Sequence, residues 1–153
     1  RKPKLKAVVI HRVEKNKMDV FTKKKRSEIM SKIRSKNTKA ELLVFRELRK
    51  RKIYFQKHYK KALGCPDIAI PRKKIAVFID GDFWHGKNFK KIKNRLPRKY
   101  WKVKIEANVA RDNKNRTKLR RQGWKILRVW VSDISKNKIS SLIKIGKFIK
   151  NGK

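Results

Sequence analysis

The chain has 153 residues, enough for one domain with a real core plus tails. Lys and Arg number 49 against 11 Asp and Glu; a net charge of +38 is sustained in solution only beside a polyanion or in high salt, so nucleic acid is the expected partner. A hydrophobic content of 39% with 14 aromatic residues excludes a wholly disordered basic tail, and the single cysteine, Cys65, excludes a disulfide framework or a Cys-rich zinc site.

In chain order, residues 1–26 carry eleven basic and two acidic residues without sustained periodicity. They read as a basic arm to about residue 25, with a short strand at Lys6–Ile10. Ser27–Arg34 has Ile29, Met30 and Ile33 at helical spacing. Thr38-Lys-Ala-Glu41 is a capping-box pattern that opens a second helix to about Lys50. Ile53–His58 reads as a strand. Asp67–Ile70 and Ile75–Asp80 read as short apolar strands joined through Pro71–Lys74 as a hairpin. Arg98–Arg121 is a long helix with Trp101, Ile105 and Val109 on one stripe, ended by Gly123. Trp124–Trp130 is a β-branched and aromatic strand, and Ile134–Lys150 a final amphipathic helix. The order ααβββαβα predicts a single mixed α/β domain. No apolar run approaches the ~20 residues of a membrane span, and no secretory leader is evident. A cytoplasmic or nucleoid-associated, reducing setting is expected.

Charge is distributed unevenly. Residues 86–104 carry nine basic residues and no acid, and residues 133–153 carry six Lys against Asp133. Between Gly64 and His85 the chain is neutral, with Asp67, Asp80 and Asp82 within sixteen positions. Carboxylates facing a polyanion are electrostatically unfavourable unless they hold a metal or move protons; the alternative is that they pair with nearby lysines. If Ile70 opposes Ile75, Asp67 falls opposite Phe78 and Asp80 lies one pair beyond, at the same open end of the sheet. Diagonal neighbours there are ~7–8 Å apart, within reach of one divalent ion. Mg²⁺ needs only one or two carboxylates, with water, phosphate and backbone oxygens (here near Ile79) completing its shell. That is the minimal equipment of a phosphodiester nuclease. His85, between Gly81 and Gly86, has the chemistry of a general base near neutral pH or is a plain loop histidine. Glu41 shares a face with Phe45 and Leu48 and either serves the cap alone or reaches inward towards a metal. His11 and His58 stand in basic stretches and read as unremarkable. Phe83-Trp84 follows the acidic strand outside any core-like alternation, and either packs under the hairpin or wedges between bases. Trp101 has both a core and a wedge reading; Trp124 and Trp130 read as core.

Several blocks resemble the very-short-patch repair (Vsr) endonucleases in order: the opening Arg26–Glu41, Gly64-Cys-Pro-Asp67, Ile79-Asp-Gly-Asp-Phe-Trp-His-Gly86, Tyr100-Trp101, Lys104-Ile105, Asn108-Val-Ala-Arg-Asp112 and Gly123–Trp130. The resemblance spans residues 19–134 or so and implies a restriction-endonuclease-like mixed sheet flanked by helices. The expected layout is an arm at 1–25, an endonuclease core at 26–134 and a Lys-rich helix at 135–153. It implies a Mg²⁺-dependent enzyme that nicks duplex DNA at T:G mismatches. Carried over by motif, Asp67 is the metal-binding aspartate, His85 the catalytic histidine and Glu41 the helix glutamate. Asp80 stands where other members have His. Phe83, Trp84 and Trp101 match wedge aromatics, and Arg111-Asp112 a pair near the site. Expected catalytic residues are thus Asp67, His85, Glu41, Asp80 and Asp112, with Asp67 and Asp80 on the metal. Lys87, Lys90, Lys91, Arg95 and Arg98 are expected on phosphates. The family's zinc ligands are replaced by Asp82, Ser132 and Lys87, so no zinc is expected. A monomer is favoured. Two other readings stand: a Vsr-like homing or mobile-element nuclease making double-strand breaks, which shares the Glu41, Asp67, His85, Asp112 pattern, and a non-catalytic basic nucleic-acid-binding protein.

Overall fold

A computed structural model describes residues 22–96 and 99–152. Its elements are α1 (Lys23–Ser31), α2 (Lys39–Lys50), β1 (Gln56–Lys57), β2 (Ile68–Ile70), a 3₁₀ turn (Pro71–Lys73), β3 (Ile75–Asp80), α3 (Phe89–Ile92), α4 (Lys99–Arg121), β4 (Lys125–Trp130), α5 (Val131–Lys136) and α6 (Lys138–Asn151). The strand at Lys6–Ile10, most of the arm and Arg98 lie outside the described residues.

The sheet order is β1-β2-β3-β4. β2 and β3 are antiparallel with Ile70 opposite Ile75, the register expected from the hairpin. β4 joins β3 in parallel, Ile75 beside Lys125 and Asp80 beside Trp130. A parallel neighbour needs a crossover, which α3 and α4 supply. β3 is central and buried along its whole length, which is why Ile75–Ile79 is a continuous apolar run rather than an alternation.

The two faces of β3 divide the core. Ile75, Val77 and Ile79 pack with Val44, Phe45 and Leu48 of α2 and with Leu142, Ile145 and Ile149 of α6. Ala76 and Phe78 face the other way, onto Leu119 of α4. Each fully buried Phe, Leu or Ile contributes on the order of 1.5–3 kcal/mol. This is therefore a mixed α/β single domain with helices on both faces of the sheet.

Several boundaries differ from expectation for local physical reasons. The first helix starts at Lys23, not Ser27, because Thr22 caps it by accepting from the Lys25 amide at 3.2 Å. It buries no residue, so its Ile29-Met30-Ile33 spacing does not mark a core face. The strand foreseen at Ile53–His58 shrinks to Gln56–Lys57, the only part that pairs with β2. Asp67 precedes β2 rather than opening it. Lys74 has positive φ and closes the 3₁₀ turn. The final helix is two: Asn137 interrupts it and its side chain accepts from the Ser140 amide at 3.0 Å. Ile139 and Ile143 of α6 stay exposed. The expected boundary at 134–135 falls inside α5, and α6 beyond it shares the main core.

Candidate active site

The C-terminal end of β3 gathers two groups of polar side chains, one on the α2 side and one on the α4 side.

On the α2 side, Glu41 is 3% exposed. Its Oε1 accepts from the Thr38 hydroxyl at 2.9 Å and its Oε2 from the Asn37 amide at 2.8 Å. The capping box and the inward carboxylate are thus one arrangement: the cap orients Glu41 while leaving it against His58. His58 Nε2 is 3.5 Å from Glu41 Oε2, and Nδ1 is 3.7 Å from Asp67 Oδ1. Asp67 is held from behind by the Ile79 amide, which donates to Oδ2 at 2.7 Å. One ligand atom from each of Glu41, His58 and Asp67 lies within 4.8 Å of the other two. His58 was passed over in the sequence because its neighbours are basic. The signal that finds it is its return to Asp67, whose carbonyl accepts from the His58 amide at 3.1 Å.

Burial raises the Asp67 pKa to about 7; the Ile79 amide opposes the rise, while the charges of Glu41 and Asp80 add to it. A buried carboxylate, Glu41, and a half-buried one, Asp67, thus converge on one histidine in a group that could hold a cation. Two carboxylates and an imidazole are a donor set that would suit a divalent ion.

On the α4 side, His85 Nδ1 lies 2.6 Å from Asp112 Oδ2. Burial works against the imidazolium, but the Asp112 hydrogen bond and the charges of Asp80 and Asp112 outweigh it, so the His85 pKa is raised. Burial likewise works against the Asp112 carboxylate, but the His85 bond overcomes it and its pKa is lowered. An ionised Asp112 only accepts, so Nδ1 carries a proton and, in the neutral ring, Nε2 presents a lone pair. Gly86, with φ +69, sets the loop: a Cβ there would meet Val109 Cγ2 at 2.7 Å.

Asp80 sits on the α4 side because it continues the Ala76, Phe78 alternation. Arg128 Nε donates to its Oδ2 at 2.6 Å, Arg116 Nη1 lies 3.9 Å from the same oxygen, and Arg128 also donates to the His85 carbonyl at 3.1 Å. Asp80, foreseen as a metal ligand beside Asp67, is therefore not part of the Glu41, His58, Asp67 group. It shares the sheet end with Asp67, as the register required, but its carboxylate is engaged by guanidinium. A cavity of about 40 Å³ lies behind it, bordered by His85, Asp112 and Arg116.

Phe83, Trp84 and Trp101 form a half-exposed aromatic group. Ring centroids are 5.2 Å apart for Phe83–Trp84, 5.9 Å for Phe83–Trp101 and 5.5 Å for Trp84–Trp101. None belongs to either core cluster. The Trp101 stripe splits: Ile105 is buried while Trp101 extends past the core. Asn108 donates to the Trp84 carbonyl at 3.2 Å and steadies that loop. Lys90, Lys91 and Arg95 are exposed beside it. Lys87, foreseen on phosphate, turns instead to Ser132 Oγ at 2.6 Å and Asp133 Oδ1 at 2.5 Å, with Asp82 Oδ2 at 3.7 Å. Arg111 is exposed, 3.6 Å from Asp112.

A mixed sheet flanked by helices, with buried acids and a His–Asp pair at the end of its central strand, defines a restriction-endonuclease-like nuclease. Comparison with known proteins gives the family. The model of the DNA mismatch endonuclease Vsr matches residues 18–91. The type II nicking enzyme V.HpaIIP of Haemophilus parainfluenzae is 37% identical over 135 residues, covering 86% of this chain and 96% of that protein. V.NmeAIP of Neisseria meningitidis serogroup A, also a type II nicking enzyme, is 41% identical over 123 residues, 78% of this chain and 86% of its own. The DNA mismatch endonuclease Vsr of Escherichia coli K12 is 30% identical over 113 residues, 73% of this chain and 72% of its own. The chain belongs to the Vsr family of DNA endonucleases. Among the described residues, no helix is long and apolar enough to cross a membrane.

Proposed function

We propose that this endonuclease nicks one strand of duplex DNA at or next to a T:G mismatch, using a divalent cation, Mg²⁺ in the first instance. The observation that carries the reading is that the Glu41, His58, Asp67 group and the His85–Asp112 pair, itself joined at 2.6 Å, stand at the same end of the sheet, near enough that the His85 charge acts on Asp67. Glu41, His58 and Asp67 would hold the cation, which would supply Lewis acidity at the scissile phosphate. His85 Nε2 takes a proton from the attacking water, and Asp112 holds the ring and steadies the imidazolium. The phosphorus–oxygen bond to the leaving sugar breaks as the bond to water oxygen forms. Asp80, neutralised by Arg128, holds the His85 loop in place through the shared guanidinium. Preference for a mismatch is supported by Phe83, Trp84 and Trp101. Apolar wedges unstack a base step at a cost of a few kcal/mol, less where pairing is already weak. Lys90, Lys91, Arg95 and Arg98 provide phosphate contacts, and the enzyme acts as a monomer.

The test is a strand-resolved cleavage assay on matched and T:G-mismatched duplexes with Mg²⁺, Mn²⁺ or chelator. Nicking of the mismatched duplex, dependent on metal, is expected. Cleavage of both strands of a matched site, or full activity in chelator, overturns the reading.

A further inference from the structure

The end of the sheet opposite the active site carries a second concentration of charge that the nuclease reading leaves unused. α2, α4 and α6 all run away from the carboxylates and finish there. Lys74 Nζ donates to the Gln122 carbonyl at 2.9 Å, closing the β2–β3 turn onto the end of α4. The Lys125 amide donates to the Lys74 carbonyl at 2.7 Å. A Cβ on Gly152, just past α6, would lie 2.8 Å from Lys125 Nζ, and one on Gly146 2.8 Å from Arg51 Nη1. Residues 49–52, 72–74 and 118–125 therefore converge, and they hold eleven basic residues and no acid.

Helix ends explain only part of this. Each C-terminus carries about −0.5 charge, so three accommodate roughly 1.5 positive charges. Arg72, Lys73, Arg121, Lys125 and Lys150 are exposed, and none has a carboxylate within 4.0 Å among the described residues. Arg51 alone in this group has an acid, Glu47 at 3.9 Å. The opposite end of β3 is where Glu41, Asp67, Asp80 and Asp112 gather. The molecule thus has a carboxylate end and an uncompensated cationic end.

We propose that the cationic end is a second DNA-binding surface, which holds the backbone of a separate duplex segment while the active site engages the one being cut, so that a single molecule bridges two segments. The ligand is duplex DNA. Surfaces for single strands stack successive bases on aromatic rings, whereas among the described residues this end exposes one large aromatic, Tyr54, which precedes β1. The segment is a separate one because the two ends are about 20 Å apart along β3. A duplex serving both ends would have to reverse direction, and bends of 40–90° already cost about 1–6 kcal/mol.

The experiment loads the full chain onto an immobilised duplex in chelator and measures retention of a second, fluorescent duplex of unrelated sequence per bound enzyme. Wild type is expected to retain it, with an affinity that falls with salt at roughly 0.9 log units per phosphate contacted. The variant combining Arg72→Gln, Lys73→Gln, Arg121→Gln, Lys125→Gln and Lys150→Gln is expected to lose retention at least tenfold, with its melting temperature and its nicking of a short isolated duplex unchanged. A charge-matched control with Gln at Lys23, Lys24, Lys32, Lys60 and Lys61 is expected to keep it. No retention by wild type, equal loss in the control, retention by the five-site variant, or displacement of the second duplex by single-stranded RNA at equal nucleotide concentration overturns the proposal. Because retention is read without metal, its failure is separate from any failure of the nicking mechanism.

Discussion

At the residue scale, the proposed chemistry turns most on Asp67. Its pKa is raised to about 7 by burial, so folding takes up a proton between the ordinary carboxylate value and about 7. The sign is the reverse of a salt-bridged aspartate. Metal-free stability falls as pH rises from about 4 to about 7 and stays reduced above that, until a cation offsets it. Asp67→Asn is therefore expected to melt higher than wild type at pH 8 in chelator, with the gap closing towards pH 4. It is also expected to lose nicking while binding DNA as well or more tightly, because a negative charge beside phosphate is removed. Thermal melts across pH and a binding titration check both, and nicking near the wild-type rate would remove Asp67 from the metal site.

His85 behaves the opposite way. Its raised pKa adds stability that is fully present below the ordinary histidine value and is lost as pH rises through the raised one. Only the neutral ring accepts a proton, so nicking rises with pH on its acid limb. Asp112→Asn removes the charge that helps raise the pKa and weakens the hydrogen bond, and is expected to move that limb to lower pH while reducing the plateau. His85→Ala is expected to cost ~10²–10⁴-fold in rate with little loss of affinity. Single-turnover rates against pH separate the two roles.

At the scale of the element, the loop between β3 and α3 carries Phe83, Trp84 and His85, the proposed wedge and the proposed base. Its closure depends on Gly86, where positive φ and a 2.7 Å approach to Val109 exclude any side chain. Gly86→Ala is expected to cost on the order of 1–3 kcal/mol and to depress nicking together with mismatch discrimination, since one loop holds both groups. Denaturant melts beside the nicking assay would show it. Phe83→Ala with Trp84→Ala should leave the His85–Asp112 pair intact and reduce only the ratio of mismatched to matched nicking. Full retention of that ratio would favour a site-specific nuclease without a mismatch wedge.

For the whole molecule, charge governs binding. At +38, affinity for any DNA will be strongly salt-dependent. Replacing Lys90, Lys91 and Arg95 by Gln is expected to flatten the slope of log affinity against log salt by about 2.7 if each contacts one phosphate, while the rate at saturating enzyme is kept. An unchanged slope would place the substrate backbone elsewhere on the surface.

What could be read from the sequence was what depends on neighbours in the chain. The capping box at Thr38–Glu41, the buried run of β3 and the Ile70–Ile75 register follow from backbone hydrogen bonding and side-chain alternation. The register put Asp67 and Asp80 at one end of the sheet. Residue chemistry singled out His85 and Phe83-Trp84, and the family resemblance added Asp112 and gave each an expected role. Tertiary structure decided which partner each charge meets. His58 joins Glu41 and Asp67 because the segment after α2 folds back to pair beside β2. Asp80 meets Arg116 and Arg128 because alternation turns it towards α4, and the parallel pairing of β4 sets Arg128 beside Phe78, two residues away. Lys87 leaves the phosphate-binding group because Ser132 and Asp133, at the start of α5 just past the end of β4, take up its ammonium. A carboxylate's role depends on its burial and on the nearest countercharge. Those are set by the packing of segments tens of residues apart, which no local pattern encodes.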